Sequence, residues 1–162
     1  MKSFTTFLLA ETLSAPAPWK RKRDSEDPDL WRATFQVGGH TYRATFEPTA
    51  LDQDAYSDDE NSYIKNGWDF TFSRRDKYRG SSYSNLSVTG SGQAFTVFAT
   101  IVDILKTFLD EVEPEHVFFG GHEESRIKLY TRLCRMVPRL NPQYRQDPKS
   151  DLTHGDFIIS HI

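Results

Sequence analysis

The run Leu86-Ser87-Val88-Thr89-Gly90-Ser91-Gly92-Gln93-Ala94 has the residue types and order in this 162-residue chain that best suit chemistry. An apolar strand pattern runs into glycines and then into a helical pattern. Glycine lets a backbone approach a ligand closely. The first turn of a helix offers unpaired N–H groups and a partial positive charge. Together these features make an anion site of pyrophosphate size. No lysine follows at the spacing of a triphosphate-binding loop. The third glycine of a dinucleotide fingerprint is also missing. The same glycines suit a tight strand-to-helix turn with no ligand, and spacing does not decide between the two.

Other reactive types are less organised. Tyr130 and Cys134 share one helix face with Ile127 and Val137. A core tyrosine with a satisfied hydroxyl and a buried thiol account for both. His154 and His161 make the only histidine spacing of interest, and no metal site is expected. Asp58-Asp59-Glu60 lacks the glycine and spacing of a calcium loop. Lys20-Arg21-Lys22-Arg23 follows Trp19 and reads as a solvated run in a loop.

The elements that must position the turn follow from pattern. Residues 4–10 fit a strand. WRATFQV (31–37) and HTYRATF (40–46) alternate about Gly38-Gly39, which predicts an antiparallel hairpin. Residues 14–30 and 47–66 carry prolines, charges and turn formers and predict long loops. Residues 68–74 and 83–89 predict further strands. Apolar spacing predicts a helix from Gln93 to Glu111, with Val97, Phe98, Ile101, Leu105 and Phe108 on its buried stripe. HVFFG (116–120) predicts a short buried strand. A second helix is expected over 123–137, stopped by Pro138 and Pro142. Residues 139–155 read as loop and 156–162 as a last strand. Strand 83–89, the first helix and strand 116–120 predict a right-handed crossover whose two strands are parallel neighbours parting at the glycine turn.

Composition narrows the partners. The formal net charge is −3 and the pI is near 5.9. Basic residues read as scattered, so no nucleic acid is expected. No stretch approaches the roughly 20 apolar residues of a membrane helix. The apolar run Phe7-Leu8-Leu9-Ala10 is too short for a secretory signal. A single cysteine excludes an intrachain disulfide. One cytoplasmic domain spanning 1–162 is the expectation.

Thr89-Gly90-Ser91-Gly92-Gln93-Ala94 resembles the pyrophosphate motif of GNAT N-acetyltransferases, Gln/Arg-x-x-Gly-x-Gly/Ala. Gly92 and Ala94 match, and Thr89 replaces the usual Gln or Arg. Glu123-Glu124-Ser125-Arg126-Ile127-Lys128-Leu129-Tyr130 is similar to the family's Asn-x-x-Ala-x-x-x-Tyr helix, where only the tyrosine is kept. The resemblance by order of elements covers roughly 31–137. The Gly-x-Gly-x-Ala-Phe turn and the Ser-Arg-x-Lys-Leu-Tyr helix also resemble small GNAT-like proteins of tailed bacteriophages.

The resemblance implies an α/β (α+β) GNAT-like fold. Its mixed central sheet would carry an N-terminal antiparallel hairpin and a β-α-β-α C-terminal half. It implies acetyl-CoA as co-substrate. Leu86, Ser87 and Val88 would hold the pantetheine arm. The amides of Gly90, Ser91, Gly92, Gln93, Ala94 and Phe95 would hold the pyrophosphate. Tyr130 would return a proton to the thiolate leaving group. No general base is evident. Asp69 is a candidate only through its place on strand 68–74. The altered positions around Tyr130 equally suit a non-catalytic protein of this fold that docks on another protein. For a phage protein, that partner would belong to the host, and the place of action would be the host cytoplasm.

Overall fold

A computed structural model describes residues 15–23, 25–27, 29–49, 66–75, 83–84, 91–120, 124–151 and 155–162. The predicted strand 4–10 lies outside the described residues. Ten elements follow in order: β1 (Trp19–Lys22), β2 (Trp31–Val37), β3 (His40–Pro48), β4 (Gly67–Arg75), β5 (Tyr83–Ser84), α1 (Ser91–Val112), β6 (His116–Gly120), α2 (Glu124–Leu140), β7 (Tyr144–Gln146) and β8 (Asp156–His161). The described strands form one mixed sheet in the order β1-β2-β3-β4-β6-β8-β7, with β5 paired to β4. All pairings are antiparallel except β4 with β6.

The β2–β3 hairpin forms as its alternation predicts. Gly38 and Gly39 both have positive φ, 58° and 78°, as a two-residue turn between twisted strands requires. The run Lys20-Arg21-Lys22, expected in a loop, instead belongs to the edge strand β1. Its alternation explains this. Trp19 and Arg21 lean toward α1, where the Trp19 Nε1–H donates to Asp103 at 2.8 Å and Arg21 pairs with Glu111 at 3.0 Å. Charged residues on an edge also discourage pairing with another chain.

The crossover also differs from expectation. Ser84 and Tyr83 pair antiparallel with Arg74 and Arg75. The parallel partner of β6 is β4, with Gly67–Phe70 opposite His116–Phe119. Strand 83–84 therefore runs opposite to 116–120, and the parallel crossover is β4-α1-β6. Asn66, at φ 61°, sets its register: its carbonyl accepts from the N–H groups of Glu115 at 3.1 Å and His116 at 3.4 Å.

α1 closes at Glu113, whose φ of 50° is left-handed, just ahead of Pro114. α2 runs through Pro138 to Leu140. A proline in the last turn removes one N–H, while the next backbone bond, from Asn141 N–H to Val137 O at 2.9 Å, survives. The span 139–155 is not all loop, because Tyr144–Gln146 pairs with β8.

Both described helices cover one face of the sheet. Phe108 of α1 stacks on Phe46 at 3.7 Å between ring centroids and meets Trp31 and Trp68 edge-on. Tyr130 of α2 meets Phe70, Phe119 and Phe157. Phe46 and Phe70 are cross-strand partners, so the two helices share that face. Alternation places Arg32, Thr34, Arg43, Thr45, Asp69, Thr71, Phe118 and Ile158 on the other face.

Candidate functional site

The geometry of β4 and β6 places the candidate site. They pair only as far as Phe70 and Phe119. Beyond that, β6 ends at Gly120 and β4 continues to Arg75, where β5 takes up its edge. In open α/β sheets, ligands bind beyond the carboxyl ends of such parallel strands.

α1 begins at that edge. The Gln93 side chain packs against Gly38, where any Cβ would collide with it. Gly38 lies in the β2–β3 turn, at the same end as Arg74, since Tyr42 faces Arg74 across the sheet. The two helices run in the same direction, as their far ends show. Asn141 Nδ2–H, just past α2, donates to Asp110 near the end of α1 at 3.1 Å. Two positive helix ends thus point to the carboxyl edge of the parallel pair. The first turn of α1 carries no acidic residue.

Of the residues expected to hold a cofactor, Leu86, Ser87, Val88 and Gly90 lie outside the described residues. Ser91 and Gly92 open α1. Gln93 is exposed, and Ala94 and Phe95 are half-buried behind it.

Tyr130 lies over the last paired residues of the parallel strands. Its ring centroid is 6.1 Å from that of Phe70 and 5.5 Å from that of Phe119. It is only 1% exposed. Asp69 lies on the sheet face away from Tyr130, beside Glu47 and Phe118 in the register. Desolvation raises its carboxyl pKa, with the Thr49 hydroxyl acting the other way. The structure does not bring Asp69 and Tyr130 together. Cys134 is buried, and burial pushes its thiol up to about 12, so it is no nucleophile at neutral pH.

A Ser/His/Asp set escaped the sequence reading. Ser160 Oγ lies 2.9 Å from His116 Nδ1 and donates to Asp147 Oδ2 at 2.7 Å. The hydroxyl stands between the other two groups. A nucleophilic triad instead places the imidazole in the middle as base. The set ties β6 and β8 to the turn after β7. Burial opposes the charge on Asp147. The Lys149 N–H, the Ser160 hydroxyl and the positive charges of His116 and Lys149 outweigh it and hold the carboxyl below its usual range. Nothing in the spacing of residues 116, 147 and 160 signals this contact, because it depends on the β6–β8 register.

Among the described residues, no group of three or more His, Cys, Asp or Glu could hold a metal ion. No described helix is long and apolar enough to cross a membrane. A family of unknown function (DUF6934) matches residues 56–144, more than half of the chain. That span includes β4, the glycine turn, α1, β6 and α2. No curated protein and no solved structure matches the chain.

Proposed function

We propose that this chain, which belongs to the family of unknown function DUF6934, binds acetyl-CoA with its pyrophosphate at the start of α1. One observation carries the reading. The β4-α1-β6 crossover sets Ser91-Gly92-Gln93, whose N–H groups have no partner within the helix, at the carboxyl edge of the parallel pair. Those N–H groups and the lack of an acid in the first turn suit a doubly charged pyrophosphate. The GNAT-like arrangement belongs to this proposal, supported by the parallel pairing of β4 and β6, which reaches no further than Phe70 and Phe119.

The two ends of the cofactor fit this chain unequally. At the pyrophosphate end, Gln93 in the first turn of α1 is exposed. At the thioester end, Tyr130 sits over the last parallel pair but is buried among Phe70, Phe119 and Phe157. A proton donor must come within hydrogen-bond reach of the leaving group. The burial of Tyr130 therefore favours a second reading, in which the chain binds the cofactor without transferring the acetyl group and acts by engaging a protein. Acetyl transfer to an amine requires the buried Tyr130 hydroxyl to come within reach of the leaving group.

Calorimetric titration of acetyl-CoA tests the binding shared by both readings. The wild type should bind. Gly92→Val places a branched side chain where the phosphates approach. It should weaken binding at least tenfold, about 1.4 kcal/mol, with unchanged circular dichroism. Absence of binding by the wild type, or equal affinity of the two proteins, refutes the proposal.

A further inference from the structure

The outer edge of the sheet at β1 is open among the described residues, because β1 ends the strand order. The register decides which backbone groups line that edge. Gly38 and Gly39 make a two-residue turn, so Val37 and His40 are the hydrogen-bonded pair that closes the β2–β3 hairpin. Bonded pairs alternate along antiparallel strands. Trp31, Ala33 and Phe35 therefore spend their N–H and C=O groups on β3, while Arg32 and Thr34 turn theirs to β1. Arg32 stands opposite Lys22, and Thr34 opposite Lys20. The backbone of Lys20 and Lys22 is thus bonded inward, and the N–H and C=O groups of Trp19 and Arg21 point out of the sheet.

The side chains at this edge divide by face. Arg21 is committed on the helix face, 3.0 Å from Glu111 and over the Trp31 ring at 5.1 Å from its centroid. Trp19 is half-buried on the same face, donating to Asp103 and tilted on Trp31. Lys20 and Lys22 are exposed on the opposite face, about 7 Å apart along the strand. Neither lysine makes an ion pair among the described residues.

We infer that the outer edge of β1 takes up an extended acidic segment of another protein as an added antiparallel strand. The outward groups of Trp19 and Arg21 call for a row of alternating donors and acceptors, which a peptide backbone supplies. A nucleic acid or a lipid surface offers anionic oxygens but no such row of N–H donors, so charge alone does not select the partner. Lys20 and Lys22 call for carboxylates at alternate positions of the added strand, since residues two apart share a face. The partner residue between those carboxylates lies on the helix face beside Trp19, where an apolar side chain fits. A second copy of this chain is the wrong occupant, because its own β1 would set cations directly opposite cations. The charges that keep the edge from pairing with itself attract an acidic strand. This edge is independent of the acetyl-CoA site, and its test does not involve the cofactor.

The test is fluorescence anisotropy of a short labelled peptide in which glutamate alternates with valine, titrated with the full chain. The peptide should bind, more weakly as salt rises, and its counterpart with lysine for glutamate should not. In the added antiparallel strand the valines turn their N–H groups to β1 and the glutamates turn theirs away. N-methylation of the valines should therefore abolish binding, and N-methylation of the glutamates should spare it. The double variant Lys20→Gln, Lys22→Gln removes two exposed charges that make no described ion pair, so its melting temperature should match the wild type. It should bind the peptide at least about threefold more weakly at low salt. Lys106→Gln, a cation of α1 away from the edge, should bind like the wild type. The inference is overturned if the wild type does not bind the peptide, or if the two N-methylated peptides bind alike. It is also overturned if the double variant keeps its affinity, if Lys106→Gln loses as much as the double variant, or if inorganic polyphosphate binds more tightly than the peptide.

Discussion

Replacing Ser160 with alanine should cost stability in a way that depends on pH. The hydroxyl donates to a charged carboxylate at 2.7 Å and lies 2.9 Å from the His116 imidazole. A hydrogen bond to a charged partner contributes about 1.5 to 3 kcal/mol. Ser160 is 9% exposed, but Asp147 and His116 are only half-buried, so water can partly replace the lost group. The lower end, about 1.5 kcal/mol, is therefore expected near neutral pH. For a urea m-value of about 2 kcal/mol per M, the midpoint falls by about 0.75 M with unchanged slope.

The pH dependence separates this bond from simple packing loss. The folded pKa of Asp147 is depressed below its unfolded value, near 3.9. Its stabilisation is therefore present above the unfolded pKa and lost as pH falls through the folded one. Without the Ser160 hydroxyl, the folded pKa moves back up and less stabilisation remains to lose. The gap between wild type and Ser160→Ala should narrow as pH is lowered from 7 to 3. Urea denaturation at pH 7, 4 and 3 measures it. A gap under about 0.5 kcal/mol at pH 7, or one that stays constant down to pH 3, refutes the reasoning.

Two further outcomes follow from the core. Phe108→Ala removes the ring that stacks on Phe46 and meets Trp31 and Trp68, and should cost about 3 to 5 kcal/mol. For a chain of this length that lowers Tm by roughly 6 to 20 °C in a thermal melt, and a loss under about 1 kcal/mol would contradict the packing described. On the alkaline side, burial pushes Cys134 to about 12, and burial with the charges of Glu113 and Asp110 pushes Tyr144 to about 12. Their unfolded values lie near 9.0 and 10.0, so the unfolded chain binds fewer protons there and stability falls as pH rises. The decline should begin near pH 9 and reach about 1.4 kcal/mol per pH unit per group. Tyr144→Phe should make it shallower, and a Tm that stays flat from pH 8 to 11 would count against both shifts.

Local chemistry alone determined much of the fold. Gly38-Gly39 between two alternating segments specified the β2–β3 hairpin, because only the positive φ of both residues lets a two-residue turn follow the strand twist. The apolar spacing of Val97, Phe98, Ile101, Leu105 and Phe108 specified α1, and all five are buried. The expected end at Glu111 falls one residue short of the observed one at Val112, where Glu113 turns left-handed ahead of Pro114.

Pairing was another matter, because it joins residues far apart in the chain. Strand 116–120 carries an apolar pattern that fits any central position. Its choice of β4 as parallel partner depends on Asn66, whose carbonyl reaches the N–H groups of Glu115 and His116. The Ser160 contacts depend in turn on β6 and β8 lying side by side. The residue type and position of Tyr130 were legible on one helix face. Its burial among Phe70, Phe119 and Phe157 was set by three strands that meet only in the folded sheet.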